Sequence, residues 1–382
     1  SSTDHKVEYI SLKPNKFLRL YNLIMVESND IKYVKQKLFM ENDYLWKILV
    51  YGGYWDFELF NDMKINFDTI ENIILKKGLI MKKGLQDNDG KADSSHLIGK
   101  KILNSKSAVD HFYLDDKEYT IFNKKKINRP RSPEIYKAPY VLFKKGVDSK
   151  NYSIKAVYTE KDFLYRDTIT CIKGSKEDEN ILLNLCGLLN SSLFSYFNLM
   201  LGSSVGIERE QIFLEEIAKY PYRYSDKLVE IVKKIQQQIK NDGNSDKLRV
   251  ELNRCVMDMY GLSDNYFIDY ALSIQIPILC GVYKEIKCNK KLIEEYAKVF
   301  SKIWNRHFEN SGVYYTINIY PDIKGKFAAL EIKLSLKEKK SGIIVNDIND
   351  DIDLLTKFMI YQKNDYFYLF LSHQNCLVSN ND

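Results

Sequence analysis

Between residues 178 and 200, Leu182, Leu185, Cys186, Leu189 and Leu193 recur every three or four positions, and this spacing predicts one apolar helix face. Asn190-Ser191-Ser192 interrupts that face with small polar groups. Gly202 and Gly206 flank a turn, and 208–218 reads as helical up to Tyr220-Pro221, since a residue before proline avoids the α region. Leu228, Ile231, Val232, Ile235 and Ile239 predict an amphipathic helix stopped by Asn241-Asp242-Gly243-Asn244. Leu248, Leu252, Cys255, Val256 and Met259 predict another, with Gly261 at its C′ position, and the two form a helical hairpin.

Upstream the pattern is extended. Residues 140–143, 152–158 and 168–172 are rich in β-branched and aromatic residues with polar breaks between them, and 108–122 reads as strand as well. Trp46, Leu49 and Val50 recur at helical spacing before Tyr51-Gly52-Gly53-Tyr54 breaks the run, and Asp56 to Phe60 resumes it. Residues 76–100, rich in Gly, Lys, Asp and Ser, read as a loop excursion. After Pro277 the pattern predicts a helix at 290–308, strands at 313–320 and 326–336, an acidic segment, a helix near 351–361 and a last strand at 366–371. The expected class is α+β: a helical or mixed N-terminal segment (1–105), a mixed-sheet domain with the helical hairpin (106–265), and a small α+β module (277–382).

The chain has 382 residues, 45% hydrophobic, too many for one ordinary core and too apolar for disorder. No run of apolar residues is long enough to span a membrane, and no signal peptide opens the chain. Six scattered cysteines without a CxxC pair suit a reduced, cytoplasmic protein and offer no zinc site. The opening Ser1-Ser2-Thr3, without Met, reads as a cut start of a longer chain. Net charge is only +6, but residues 117–150 hold ten Lys/Arg against three Asp/Glu, so the rest of the chain is close to neutral.

That local excess centres on Lys124-Lys125-Lys126-Ile127-Asn128-Arg129-Pro130-Arg131-Ser132-Pro133, with five positive charges in eight residues and two prolines that keep it extended. Arg is scarce in this chain, so Arg129 and Arg131 stand out. Arg forks onto guanine edges or phosphates, whereas Lys acts as a point charge. Tyr136, Tyr140 and Phe143 add aromatic surface, and Lys144-Lys145 add charge. A solvated basic loop would look the same.

Phosphate-binding loops, dinucleotide fingerprints, HExxH and nucleophile elbows are absent from the sequence. One catalytic pattern occurs: Pro321-Asp322 followed by Glu331-Ile332-Lys333 spells a PD…(E/D)xK nuclease signature, in which Asp322 and Glu331 would hold Mg²⁺ and Lys333 would orient water. Glu331 and Lys333 also read as the solvent face of an alternating strand.

Residues 181–193 (ILLNLCGLLNSSL), then Gly206 to Glu210 and Tyr220-Pro221, resemble the recognition-domain helix and exit of TaqI-type adenine-N6 DNA methyltransferases and type IIG restriction–modification proteins. Residues 138–145 (APYVLFKK) resemble that family's entry to the recognition sheet, Tyr165 to Ile169 its strand before the helix, and 252–262 (LNRCVMDMYGL) its closing helix. Residues 45–52 and 95–100 are similar to segments of large methylase-like relatives. The resemblance covers about 40–265 and implies target recognition on double-stranded DNA. The family's Asn/Asp-Pro-Pro-Tyr/Phe loop is missing, as is its glycine-rich S-adenosylmethionine turn, so the resemblance carries over no catalytic residue. It implies that S-adenosylmethionine and methyl transfer belong to a separate domain or subunit, N-terminal to Ser1 if this is a fragment.

The sequence reading is therefore the DNA-recognition part of an adenine-N6 methyltransferase of a restriction–modification or phage-defence system, itself non-catalytic. Its DNA-binding candidates are Lys124, Lys125, Lys126, Arg129, Arg131, Tyr136, Lys144, Lys145 and Arg166, with His96 and Lys100 as weaker ones; the 180–260 helices are scaffold. The alternatives are the Mg²⁺-dependent nuclease and a protein-docking scaffold.

Overall fold

The computed structural model describes residues 5–11, 26, 30–241, 243–263, 265–282, 290–308, 311–323, 327–337, 341–346, 367–372 and 376–378. The fold is α+β, and the chain divides into two compact units, Ser1–Tyr283 and Lys284–Asp382. Among the described residues no helix is long and apolar enough to cross a membrane.

In the first unit an antiparallel strand pair, Lys6–Ile10 with Ile31–Lys35, and a short helix, Gln36–Glu41, precede the helices α1 (Leu45–Tyr51) and α2 (Tyr54–Asn66). Gly52 and Gly53 separate them. The Asp56 carboxylate accepts the Gly53 N–H at 2.8 Å and the Tyr196 hydroxyl at 2.6 Å, and a Cβ on Gly52 would run into that carboxylate. The sheet at the centre of the unit is antiparallel, with β1 (Ile80–Lys83), β2 (Tyr140–Val147), β3 (Ile154–Thr159) and β4 (Ile169–Lys173) in the order β3-β2-β4-β1. Residues 76–100 are thus not all loop, because β1 closes one edge by pairing with β4.

This sheet is covered on both faces, which is why its strands read as apolar runs. Successive side chains of a strand alternate faces. Val141, Phe143, Ile154, Ala156 and Ile172 enter one core, while Tyr140, Leu142, Val157, Ile169 and Cys171 enter the other. The first core is helical: α3 (Glu179–Asn190), α4 (Ser192–Leu201), α5 (Asp226–Lys240) and α6 (Asp246–Tyr260). Gly187 lets α3 and α5 close up, since a Cβ there would lie 2.9 Å from Leu228 and Val232 side-chain carbons. The second core lies under short hairpins between residues 85 and 136.

The expected single helix of 178–200 is two, broken at Ser191. Its backbone is extended, and its hydroxyl accepts the Phe194 N–H at 3.4 Å to cap α4. Asn190 leaves the helix face to bind strand β3, donating to the Ala156 carbonyl at 2.8 Å. Residues 208–218 are helical only at Leu214–Ala218. Before that the backbone joins β2 instead: the Val147 N–H donates to Glu210 and the Ile212 N–H to Lys145. Gly261 caps α6 with φ 71°, as its spacing predicts.

In the second unit, α7 (Lys290–His307) packs on a five-stranded sheet of β5 (Tyr314–Ile323), β6 (Phe327–Ser335), β7 (Gly342–Val345), β8 (Phe367–Ser372) and β9 (Cys376–Val378), ordered β7-β5-β6-β8-β9. Only the β5–β7 pair is parallel. Ile293 and Ala297 of α7 meet Tyr315, Ile317, Ile319 and Leu330. The predicted helix near 351–361 lies outside the described residues.

Candidate nucleic-acid interface

The basic segment is an exposed ribbon pinned from beneath. Lys126–Ile127 pairs antiparallel with Ala92–Asp93, and Ile127 is fully buried while Lys124, Lys125, Lys126 and Arg129 are exposed. Ser94 holds the ribbon twice, with its N–H on the Lys125 carbonyl at 2.9 Å and its hydroxyl on the Lys124 carbonyl at 2.7 Å. The Asn128 N–H donates to Asn88, and Gln86 and Arg129 exchange both backbone hydrogen bonds. Gly90 permits this approach, because a Cβ there would strike the Asn128 backbone. Extended lysines therefore project from a fixed backbone, with Ile127 as the anchor.

The segment 84–90 also gathers the arginines. Arg131 has φ 65°, a left-handed conformation that costs a non-glycine residue about 1 kcal/mol. Its Nε donates to the Gly84 carbonyl at 3.2 Å. Leu85 bridges to Arg166, whose Nε meets the Asp87 carboxylate at 2.8 Å. Lys124 Nζ reaches the Asp87 carbonyl at 2.5 Å, and Gln86 donates to Asp167 at 2.8 Å. Lys124, Arg129, Arg131 and Arg166, dispersed over more than forty positions of sequence, thus share one support. Arg166 further lines a cleft of about 350 Å³ with Asn104, Lys117, Glu118, Tyr119 and Thr120.

Tyr136 is corrected. It is 3% exposed, its hydroxyl donates to the Pro130 carbonyl at 2.8 Å, and its ring packs edge-on against Tyr165 at 5.2 Å. Burial raises its pKa. It positions the ribbon's exit from inside the core, where no base can stack on it. Tyr140 and Phe143 are core residues too.

Lys144 and Lys145 occupy opposite sides of β2 and do not form one patch. Lys144 is half-buried and donates to the Lys106 carbonyl at 2.7 Å, and burial, then Lys155, hold its pKa down. Lys145 lies 5.2 Å over the Phe213 ring. His96 and Lys100 are exposed beside the ribbon's partner strand. There the Asp93 carboxyl is held below its ordinary range by hydrogen bonds from Ser95, with attraction from His96 and Lys126.

Sequence reasoning missed Gly84, Gln86, Asp87 and Gly90 as the support of the basic groups. The one available signal was the pair of glycines bracketing Gln86 and Asp87. A Cβ on Gly84 would strike the Tyr165 and Arg166 carbonyls.

The nuclease candidates lie in the second unit. The Asp322 side chain is outside the described residues. Glu331 is 6% exposed, not on a solvent face: Asn318 donates to it at 2.8 Å, Tyr320 at 3.2 Å, and Lys333 pairs with it at 3.2 Å. Among the described residues no three His, Cys, Asp or Glu side chains converge as a metal site requires.

No family model matches the chain, and no curated protein matches it. Among solved structures, the type IIL restriction-modification enzyme MmeI in complex with DNA is similar over 53% of this chain and 35% of its own, at 10% identity and a TM-score of 0.33.

Proposed function

We propose that the first unit binds double-stranded DNA through the ribbon Lys124 to Arg131 and Arg166. It would serve as the target-recognition part of an adenine-N6 methyltransferase in a restriction–modification or phage-defence system. The carrying observation is the exposed Lys124, Lys125, Lys126 and Arg129 on a backbone locked by buried Ile127. The lysines neutralise phosphates and release counterions. Each neutralised phosphate steepens the dependence of log affinity on log salt by about 0.9. Arg129 is the exposed fork for a base edge, and Arg166 is oriented for the groove by Asp87.

Among the described residues the central sheet of the first unit is antiparallel throughout, without a parallel strand–glycine turn–helix crossover to cradle S-adenosylmethionine. Methyl transfer would then fall to a separate domain or subunit, and the residues of this chain would hold and read the duplex.

The test is fluorescence anisotropy with a labelled duplex across a salt series. K124Q/K125Q/K126Q should weaken binding and flatten the salt slope. R129A should cost about 1–3 kcal/mol on a cognate site if its fork reads a base. Affinity and slope unchanged in both variants would remove DNA recognition from this ribbon and favour a protein-docking scaffold.

A further inference from the structure

Between Lys124 and Arg131 one side chain is polar but uncharged. Asn128 stands between the buried Ile127 and the exposed Arg129, and is itself exposed. Its backbone is fixed: its N–H donates to the Asn88 carbonyl at 3.0 Å, and Gly90, lacking a Cβ, lets the facing chain close against it. Its side chain begins a relay. Asn128 Nδ2 donates to Gln86 Oε1 at 3.1 Å, and Gln86 Nε2 donates to an Asp167 carboxylate oxygen at 2.8 Å.

The order of this relay fixes which way each amide points. An ionised carboxylate only accepts, so Gln86 turns its NH₂ to Asp167 and its oxygen to Asn128. Asn128 must then answer with its own NH₂. A flip of either amide would set two acceptors or two donors face to face. One Nδ2 hydrogen is spent on Gln86. The other hydrogen and Oδ1 have no partner among the described residues. Asn128 therefore offers an acceptor and a donor side by side, in a fixed sense, among the exposed cations of the ribbon.

We propose that Asn128 reads an adenine in the major groove, its Oδ1 accepting from the adenine N6 amino group and its remaining Nδ2 hydrogen donating to N7, with Gln86 and Asp167 as positioning residues. The inference rests on the DNA reading of the ribbon and adds the base that it selects. In the major groove adenine pairs a donor, N6–H, with an acceptor, N7, whereas guanine shows two acceptors, cytosine a donor and thymine an acceptor. The neighbouring lysines contact phosphates, which position the protein but carry no sequence information. An amide fixed before contact loses less conformational freedom on binding.

The experiment is selection of binding sites from a random duplex library by the full chain, then anisotropy on the selected duplex. The wild type should enrich a site with one adenine that N128A no longer prefers, while K124Q/K125Q/K126Q keeps the site and binds it more weakly. Replacing that adenine with 7-deazaadenine keeps base pairing and removes N7. It should weaken wild-type binding by about fivefold or more and N128A binding by less than about twofold. Q86L, nearly isosteric, breaks both relay bonds and should lose part of this discrimination with every ribbon cation in place. A site unchanged in N128A, or equal sensitivity of wild type and N128A to 7-deazaadenine, would overturn the reading of adenine by Asn128 and leave DNA binding standing. Full discrimination in Q86L would overturn the positioning role of Gln86 and Asp167. Absence of duplex binding by the wild type would overturn the DNA reading, and this inference with it. Should Q86L fail to fold, N128A and the base analogue decide the assignment.

Discussion

Replacing Asn190 with leucine should destabilise the first unit without touching the proposed DNA surface. Asn190 ends α3 and faces the sheet. Its Nδ2 donates to the Ala156 and Cys186 carbonyls, each at 2.8 Å, and its Oδ1 takes His111 Nδ1 at 2.8 Å. His111 in turn meets the Ser153 hydroxyl at 3.2 Å through Nε2. Leucine is nearly isosteric but leaves the His111 ring nitrogen without this partner, while the Ala156 carbonyl keeps the Phe112 N–H. The Cys186 carbonyl keeps its helical role. An unmade bond to a buried group costs about 1–3 kcal/mol. One such loss, with the weakening at Ala156 offset by the added apolar burial, gives roughly 1–3 kcal/mol. Urea unfolding followed by near-ultraviolet circular dichroism measures this as a lower midpoint at unchanged m-value. Duplex affinity, measured where the variant is fully folded, should stay at the wild-type value. A loss below about 0.5 kcal/mol, within the range of neutral surface changes, would refute the bridging role. Loss of DNA binding in a fully folded variant would refute its assignment to the scaffold.

Three further outcomes follow from the same geometry. Gly84→Ala forces a Cβ onto the Tyr165 and Arg166 carbonyls, so it should cost about 1–3 kcal/mol and expose the 84–90 segment to limited proteolysis; an unchanged digestion pattern would deny that this contact holds the ribbon. Burial holds the His111 pKa below its ordinary 6.5, despite the Asn190 hydrogen bond and the attraction of Asp110. The unfolded state therefore binds its proton more readily, and stability that is full above about pH 6.5 should fall as acid is added through the lower folded value, a trend that H111N should flatten in pH-dependent unfolding. Glu331→Ala leaves Asn318 and Tyr320 without their carboxylate acceptor and should lower the stability of the second unit by about 1–3 kcal/mol; Mg²⁺-dependent plasmid nicking by the wild type that vanishes in this variant would instead support the nuclease alternative.

The helices were legible because their apolar faces are continuous. Leu228, Ile231, Val232 and Ile235 are all buried, at the spacing the sequence displays. Strand β1 was not legible, since an edge strand pairs on one side only and Lys82-Lys83-Gly84 has loop composition; hydrogen bonds to β4, far along the chain, decide it. The same reason shortens the helix predicted over 208–218: long-range pairing with Lys145 and Val147 outweighs local periodicity. Of the candidate site, the exposed charges were readable from composition. Their arrangement was not, because Arg166 joins Arg131 through Gly84, Leu85 and Asp87, residues that look like spacer. Tyr136 misled because an aromatic beside lysines reads equally as a stacking platform or as the first residue of a core.

The sheet is buried on both faces, so its two sides serve different cores. Odd and even positions of β2 serve different cores: Val141 and Phe143 meet the helices, Tyr140 and Leu142 meet the hairpin layer that carries the ribbon. A change in the hairpin layer reaches the helices through the β2–β4 backbone and through the direct contacts of His111 with Asn190 and of Phe112 with Gln236 and Arg249. Isolated surface lysines gain little from order, since fixing a long side chain costs conformational entropy of about 1–2 kcal/mol. In this ribbon the backbone part of that cost is met on folding, by Ile127 and the two Ser94 hydrogen bonds. A duplex meeting the ribbon would then order only side-chain termini. That difference would separate a recognition surface from a merely basic loop, and it rests on one buried isoleucine among four exposed cations.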